Sequence, residues 1–252
     1  MISSSTVRRV AAAAVHGYTA LGCVAAVFAL IAAGRRNFET AFLLLFVATM
    51  IDYSDGTLAR AVDASRIFTW VDGAALDSLV DFVANIVAPI VLLIHADLWP
   101  EPGWLWTTIV VVPSLYRFVL RNPYRTAGFF LGIPPVLTLP AFYIYALHLP
   151  RYAVMVVAVL YCIFCFVPLG YVHITRFRKH AVQHGLALLG WWAIYLIVTQ
   201  QWTSNGRMLT LLSLVYVLYY LATSVRHFRA YMRSQSIYTT GSAPLNREEM
   251  KS

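Results

Sequence analysis

Apolar runs of roughly 20 residues, the length a helix needs to cross a bilayer, follow one another along almost the whole chain. They lie at Val10–Ala33, Phe38–Ala61, Trp70–Ile94, Trp104–Leu120, Leu131–Leu149, Tyr152–Ile174, His184–Gln200 and Met208–Thr223. Hydrophobic residues make up 60% of the chain, and Asp, Glu, Lys and Arg only 12%. A soluble domain carries about twice that charged share. A water-soluble core has no use for so much apolar surface, so the sequence predicts an all-α, polytopic membrane bundle of about eight transmembrane helices. The fifth run is the weakest. Pro134, Pro135 and Pro140 remove backbone donors there, so it is expected to be short, kinked or re-entrant.

Charge sets the orientation. Cytoplasmic loops are enriched in Lys and Arg. With the N-terminus inside, only Arg35, Arg36, Arg151 and Arg207 of the 19 basic residues fall on the outer side. Both termini are therefore expected in the cytoplasm. The net charge of +8 follows from the same rule. It meets anionic headgroups, and with no basic domain standing clear of the membrane a nucleic-acid partner is not expected. The first run lacks a cleavage site and is read as retained. Cys23, Cys162 and Cys165 lie inside runs, and no second pair of ligands accompanies the last two, so they read as packing residues. The transmembrane domain is placed at 1–233, followed by a polar cytoplasmic tail, 234–252, expected to be disordered.

The acids carry the function. Six of the 11 fall between positions 52 and 81: Asp52, Asp55, Asp63, Asp72, Asp77 and Asp81. Asp63 and Asp72 suit loop or capping positions. The other four sit in apolar helical sequence, where a carboxylate costs about 2.5–3.5 kcal/mol at bilayer depth, so such residues face an interior site. At about 100° per residue, Asp52, Asp55, Gly56 and Ala59 share one face of the second run. Gly73, Asp77 and Asp81 share one face at the start of the third. Four carboxylates brought together repel unless cations join them, and an oxygen-only ligand set favours hard ions such as Mg²⁺ or Mn²⁺. Gly56, Ala59 and Gly73 allow a flat base or phosphate to approach the backbone, and Arg60 can reach a phosphate. Together these residues describe a site for a metal-bound diphosphate.

Ile51 to Phe82 reads IDYSDGTLARAVDASRIFTWVDGAALDSLVDF. This resembles the signature of the CDP-alcohol phosphotransferases, in which Asp, Asp-Gly, Ala-Arg, Gly, Asp and Asp recur at set spacing. Here those positions are Asp52, Asp55, Gly56, Ala59, Arg60, Gly73, Asp77 and Asp81. The spacer Ala61–Asp72 is longer than the family's usual one and is similar to that of the bacterial phosphatidylcholine synthase branch. The opening His16-Gly-Tyr-Thr-Ala and the segment Gly128-Phe-Phe-Leu-Gly-Ile-Pro134 also look like that branch. After Pro134 the chain continues Pro135-Val-Leu-Thr138, where the choline-using enzymes carry a more polar aromatic run; the alcohol stays open at this point.

The resemblance implies two Mn²⁺ or Mg²⁺ ions held by Asp52, Asp55 and Asp77, with Asp81 shared between ligation and base duty. It implies that Gly56, Ala59, Arg60 and Gly73 surround the CDP portion of CDP-diacylglycerol. The acceptor would be choline or another small alcohol (serine, inositol, glycerol phosphate), CMP the leaving product, the active site cytoplasmic and the enzyme a homodimer among membrane lipids. Arg117, Arg121 and Arg125, at helical spacing, either bind lipid phosphate or mark the inner side of the membrane. The aromatic residues, 7 Trp, 15 Tyr and 14 Phe, serve interfacial belts more often than cation–π cages. A cation transporter with intramembrane aspartates is the rival of a different class. Transporters carry matching broken helices in both halves, whereas these acids are confined to one hairpin.

Overall fold

The structure is a computed structural model that describes residues 4–120, 129–172, 181–200 and 204–241. Its helices are α1 (Ser4–Gly34), α2 (Phe38–Ala61), a single turn α3 (Ala64–Ile67), α4 (Gly73–Phe82), α5 (Ala88–His95), α6 (Gly103–Val119), α7 (Thr138–Leu147), α8 (Arg151–Phe166), α9 (Ala181–Gln200) and α10 (Ser204–Gly241). A π-helical turn, Val83–Val87, joins α4 to α5 into one continuous segment. Among the described residues, four segments are long and apolar enough to cross a membrane: Thr6–Gly34, Phe38–Ala61, Gly73–His95 and Gly206–Arg233. The chain is thus a helical membrane protein; among the described residues four segments are full-length and the other apolar helices are shorter, against the eight runs of the sequence.

Two further departures from the expected all-α bundle are local. Strands β1 (Phe129–Leu131) and β2 (Gly170–Val172) pair antiparallel, with Phe130 opposite Tyr171. Helix α10 runs on to Gly241, into the stretch expected to be a disordered tail. Nothing in Ser234–Thr240 breaks a helix, and extending one adds a bond for each residue fixed; the breakers Gly241 and Pro244 come only later.

Small residues set the packing of the first hairpin. Ala25, Ala26, Ala29, Ala32 and Ala33 of α1 are buried, as are Ala41 and Ala48 of α2, so the two backbones lie close together. The outward residues Leu21, Val24 and Phe28 are exposed, as a lipid-facing surface must be. The main core joins α1, α2 and α5 to α7, α8 and α9, with Phe42, Leu45, Ile86, Leu93 and Phe142 essentially inaccessible.

The Pro-rich fifth run forms only a ten-residue helix, α7, which begins deep in the protein. Pro134 and Pro135 lie in the irregular lead to it. Non-helical backbone is tolerated at such depth only where protein buries it, and here the Leu137 amide donates to the Asn85 carbonyl at 2.8 Å. Just upstream, Gly132 has φ +76°, and a Cβ there would meet the Cys165 carbonyl oxygen at 2.8 Å and Arg117 Cζ at 3.3 Å. Gly132→Ala therefore combines a left-handed backbone with an overlap that a fixed carbonyl cannot relieve. It is expected to cost about 1–3 kcal/mol, read as a lowered Tm of the purified protein in detergent.

Three loops meet at one end. Arg36 Nη2 pairs with Asp97 Oδ2 at 3.0 Å, and Arg151 donates to the Asp97 carbonyl at 3.4 Å. The connections α1–α2, α5–α6 and α7–α8 therefore share one side of the bundle, which is the alternation that the distribution of arginines predicts. The acidic segment lies at the opposite end, where α2 stops and α4 starts.

Candidate active site

Asp52 and Asp55 are one turn apart on α2, and Asp77 and Asp81 one turn apart on α4. The backbones of α2 and α4 make little direct contact; α1 packs against both and holds them at a distance that side chains span. Across that gap Asp52, Asp55 and Asp77 bring carboxylate oxygens within 4.8 Å of one another. Asp81 stands next to this trio, with Asp52, Asp77 and Asp55 as its electrostatic neighbours. Helix α1 contributes more than spacing. The Thr19 hydroxyl lies beside Asp55, and Tyr18 Oη and Ser54 Oγ share a hydrogen bond of 2.8 Å.

Asp72 is the N-cap of α4, accepting from the Ala74 and Ala75 amides at 3.0 and 3.1 Å, and this fixes where the helix carrying Asp77 begins. Asp63 sits in a left-handed loop conformation at φ 52°. Neither joins the cluster.

Asp81 is positioned from behind. Pro89 has no amide to give the Asn85 carbonyl four residues back, and its ring would collide with that carbonyl in a regular helix. The helix widens at this point, and the Ala88 amide bonds to Val83, five residues back. The released carbonyls are both taken by the start of α7. Leu137 N–H donates to Asn85 O at 2.8 Å, and Thr138 Oγ1 lies 3.2 Å from Ala84 O. Thr138 Oγ1 also lies 3.2 Å from Asn85 Oδ1, so the Asn85 amide group is turned with its nitrogen toward Asp81, donating to Oδ1 at 3.1 Å. Supporting hydrogen bonds of this kind are worth about 10–100-fold in activity at metal sites. Asn85→Ala should lower turnover by that order, and Thr138→Val, which keeps the shape but not the hydroxyl, should fall in the same direction. The check is the initial rate of CMP release at saturating substrate.

The four acids line one wall of a cavity of about 480 Å³, within the range of ligand pockets. Gly56, Arg60, Asn85, Arg117 and Thr138 line it too. At Gly56 an added Cβ would meet only Arg60 Nη1, at 3.3 Å, so the backbone there is approachable from the cavity. Arg60 is exposed and donates to Thr57 Oγ1 at 2.9 Å. Of the remaining residues singled out in the sequence, Ala59 and Gly73 are not among the lining residues described. Gly73 has a different reason to lack a side chain. A Cβ there would stand 2.8 Å from Cε1 of His16, whose ring lies over the start of α4 with its Nε2 buried. Arg117 faces the cavity from α6, whereas Arg121 and Arg125 lie outside the described residues. Aromatic residues of α9 and α10, together with Tyr53, also line it.

The donor set suits a hard divalent cation: carboxylate oxygens only, from two helices, converging within one ion's coordination span. Three of the four expected ligands form the tight group, with Asp81 engaged by Asn85 at its edge.

The family model described as CDP-alcohol phosphatidyltransferase matches residues 13–167, which spans α1 through α8 and every acid of the cluster. The phosphatidylcholine synthase of Bradyrhizobium diazoefficiens is 31% identical over 193 residues, 76% of this chain and 72% of its own length. That of Legionella pneumophila is 28% identical over 169 residues, 64% of each chain. That of Pseudomonas aeruginosa is 26% identical over 179 residues, 71% of this chain and 75% of its own. The matched region thus spans from somewhat under two thirds to three quarters of these relatives' lengths.

Proposed function

The chain belongs to the CDP-alcohol phosphatidyltransferase family, and from that premise we propose that it joins the phosphatidyl group of CDP-diacylglycerol to choline, giving phosphatidylcholine and CMP. The observation that carries this reading is the trio Asp52, Asp55 and Asp77 on the wall of a cavity large enough for a nucleotide. The names of the relatives support choline as the acceptor.

Asp52, Asp55 and Asp77 would hold one or two Mn²⁺ or Mg²⁺ ions, which supply Lewis-acid neutralisation of the diphosphate charge. The approachable backbone at Gly56 admits the nucleotide side of the donor, and Arg60 and Arg117 add positive charge along the phosphates. Ala59 and Gly73 act one layer back, through the spacing of helices rather than by touching the donor. Asp81, oriented by Asn85, takes the proton of the acceptor hydroxyl. That oxygen forms a bond to the phosphorus bearing the diacylglycerol, the bond from this phosphorus to the oxygen bridging it to CMP breaks, and CMP leaves with its charge.

With the acidic end of the bundle on the cytoplasmic side, as the positive-inside rule favours, the soluble nucleotide product can diffuse away; a bacterial inner-membrane location and a homodimer are part of the same proposal. The test is an assay of the purified protein with CDP-diacylglycerol, Mn²⁺ or Mg²⁺, and labelled choline, serine, inositol and glycerol phosphate. Labelled phosphatidylcholine with stoichiometric CMP is expected. Transfer to serine or inositol instead would correct the acceptor, and no CMP with any alcohol would overturn the reaction.

A further inference from the structure

We propose that Tyr53, Trp192 and Tyr216 form a subsite for a quaternary ammonium group in the cavity that the acids line, an inference that rests on the phosphatidyltransferase reading and names how its acceptor is held. The three rings come from α2, α9 and α10, and all line the cavity that the four aspartates line. Tyr53 directly follows Asp52, so the aromatic wall begins where the acidic one ends. A hydroxyl at Asp81 and a cation two carbons away can be held in the one space.

The chemistry of the wall selects the kind of cation. Its acids are the four aspartates, already committed to ions and to the proton. The polar tips of the neighbouring aromatics are spent elsewhere. Trp191 Nε1 donates to Tyr143 Oη at 2.9 Å, Tyr195 Oη to the Phe42 carbonyl at 3.0 Å, and Tyr220 Oη to the Val172 carbonyl at 2.9 Å. These residues therefore offer the cavity ring carbon rather than hydrogen-bonding groups. A polyol or a primary ammonium needs acceptors and donors; a trimethylammonium group needs neither and is attracted by ring faces within about 6 Å.

The rings are also held before any ligand arrives. Tyr53 and Trp192 meet at 85° with centroids 5.1 Å apart, a right-angled corner. Phe46 braces Trp192 edge-on at 6.2 Å. Tyr216 lies between Trp191, at 6.1 Å and 30°, and Tyr220, at 6.4 Å and 27°. Binding loses little side-chain entropy when the rings are already packed.

The experiment measures choline kinetics of the full-length protein and its inhibition by tetramethylammonium, which has the cation but no hydroxyl. Tetramethylammonium should compete with choline in the wild type. Trp192→Leu and Tyr216→Leu should raise the KM for choline about tenfold or more, with kcat changed far less and tetramethylammonium inhibition lost. Trp192→Phe, which keeps a ring, should fall between. Unchanged choline KM in folded Leu variants, or no effect of tetramethylammonium on the wild type, would overturn the subsite. Should the wild type transfer to another alcohol but not to choline, direct binding of tetramethylammonium, read by tryptophan fluorescence, decides the subsite apart from the acceptor: quenching lost in Trp192→Leu supports it, no binding removes it.

Discussion

Asp55→Ala is expected to reduce CMP release below detection while leaving a folded, membrane-inserted protein. Asp55 is 5% exposed and belongs to the trio whose oxygens converge within 4.8 Å. Affinity for a hard cation depends on how many carboxylates it finds, so losing one of three removes most of the binding. The effect on stability has the opposite sign without metal. Removing a carboxylate relieves repulsion from Asp52, Asp77 and Asp81, so in chelator the variant should melt at or above the wild-type temperature. Metal reverses the order. Saturating Mn²⁺ or Mg²⁺ should stabilise the wild type by RT ln(1 + [L]/Kd), about 2.7 kcal/mol at a hundred times Kd, and this shift should vanish in the variant. A variant that kept wild-type turnover, or a wild type whose melting ignored both metal and chelator, would remove the ion from the mechanism.

Asp81→Asn separates proton transfer from ion binding. The amide has the shape of the carboxylate, and its oxygen can still accept the hydrogen bond that Asn85 gives Asp81 Oδ1 at 3.1 Å. The scaffold should therefore persist, and the metal-dependent rise in melting temperature should survive in large part, because Asp52, Asp55 and Asp77 remain. What is lost is the proton acceptor, typically worth 10²–10⁴-fold. Turnover should fall by about that factor with the donor's KM little changed. Loss of the metal-dependent melting shift along with turnover would instead make Asp81 chiefly a ligand.

The pattern of acids was legible in the sequence because it is local. Spacings of three and four residues put Asp52 beside Asp55 and Asp77 beside Asp81 whatever surrounds them, and the cost of a buried carboxylate demands a common purpose. Asp72 as a cap and the brevity of the Pro-rich segment were legible for the same reason. What could not be read was supplied by distant partners. Nothing local ties Thr138 to Asn85, 53 positions away, although Pro89, four residues after Asn85, was a usable sign that the helix would widen there. Nothing local to Gly73 shows that α1 brings His16 over it, where an added Cβ would stand 2.8 Å from the ring. Eight hydrophobic runs suggest eight spans, but a run's length does not show by itself whether its helix crosses or packs between others, and among the described residues four segments are both long and apolar enough to cross. The ribbon Phe129–Leu131 with Gly170–Val172 is too short for strand periodicity to register.

The widened turn at Val83–Val87 carries one more residue than a regular helix would use over the same rise. Straightening it into a regular helix with its residue count unchanged would rotate everything upstream by about 100° relative to everything downstream. Asp77 and Asp81 would then swing toward another quadrant while α5 stayed seated in the core. The aim of the acids is thus set by the width of this turn as well as by residue identity, so whatever holds the turn open, Pro89 first, also aims the acids.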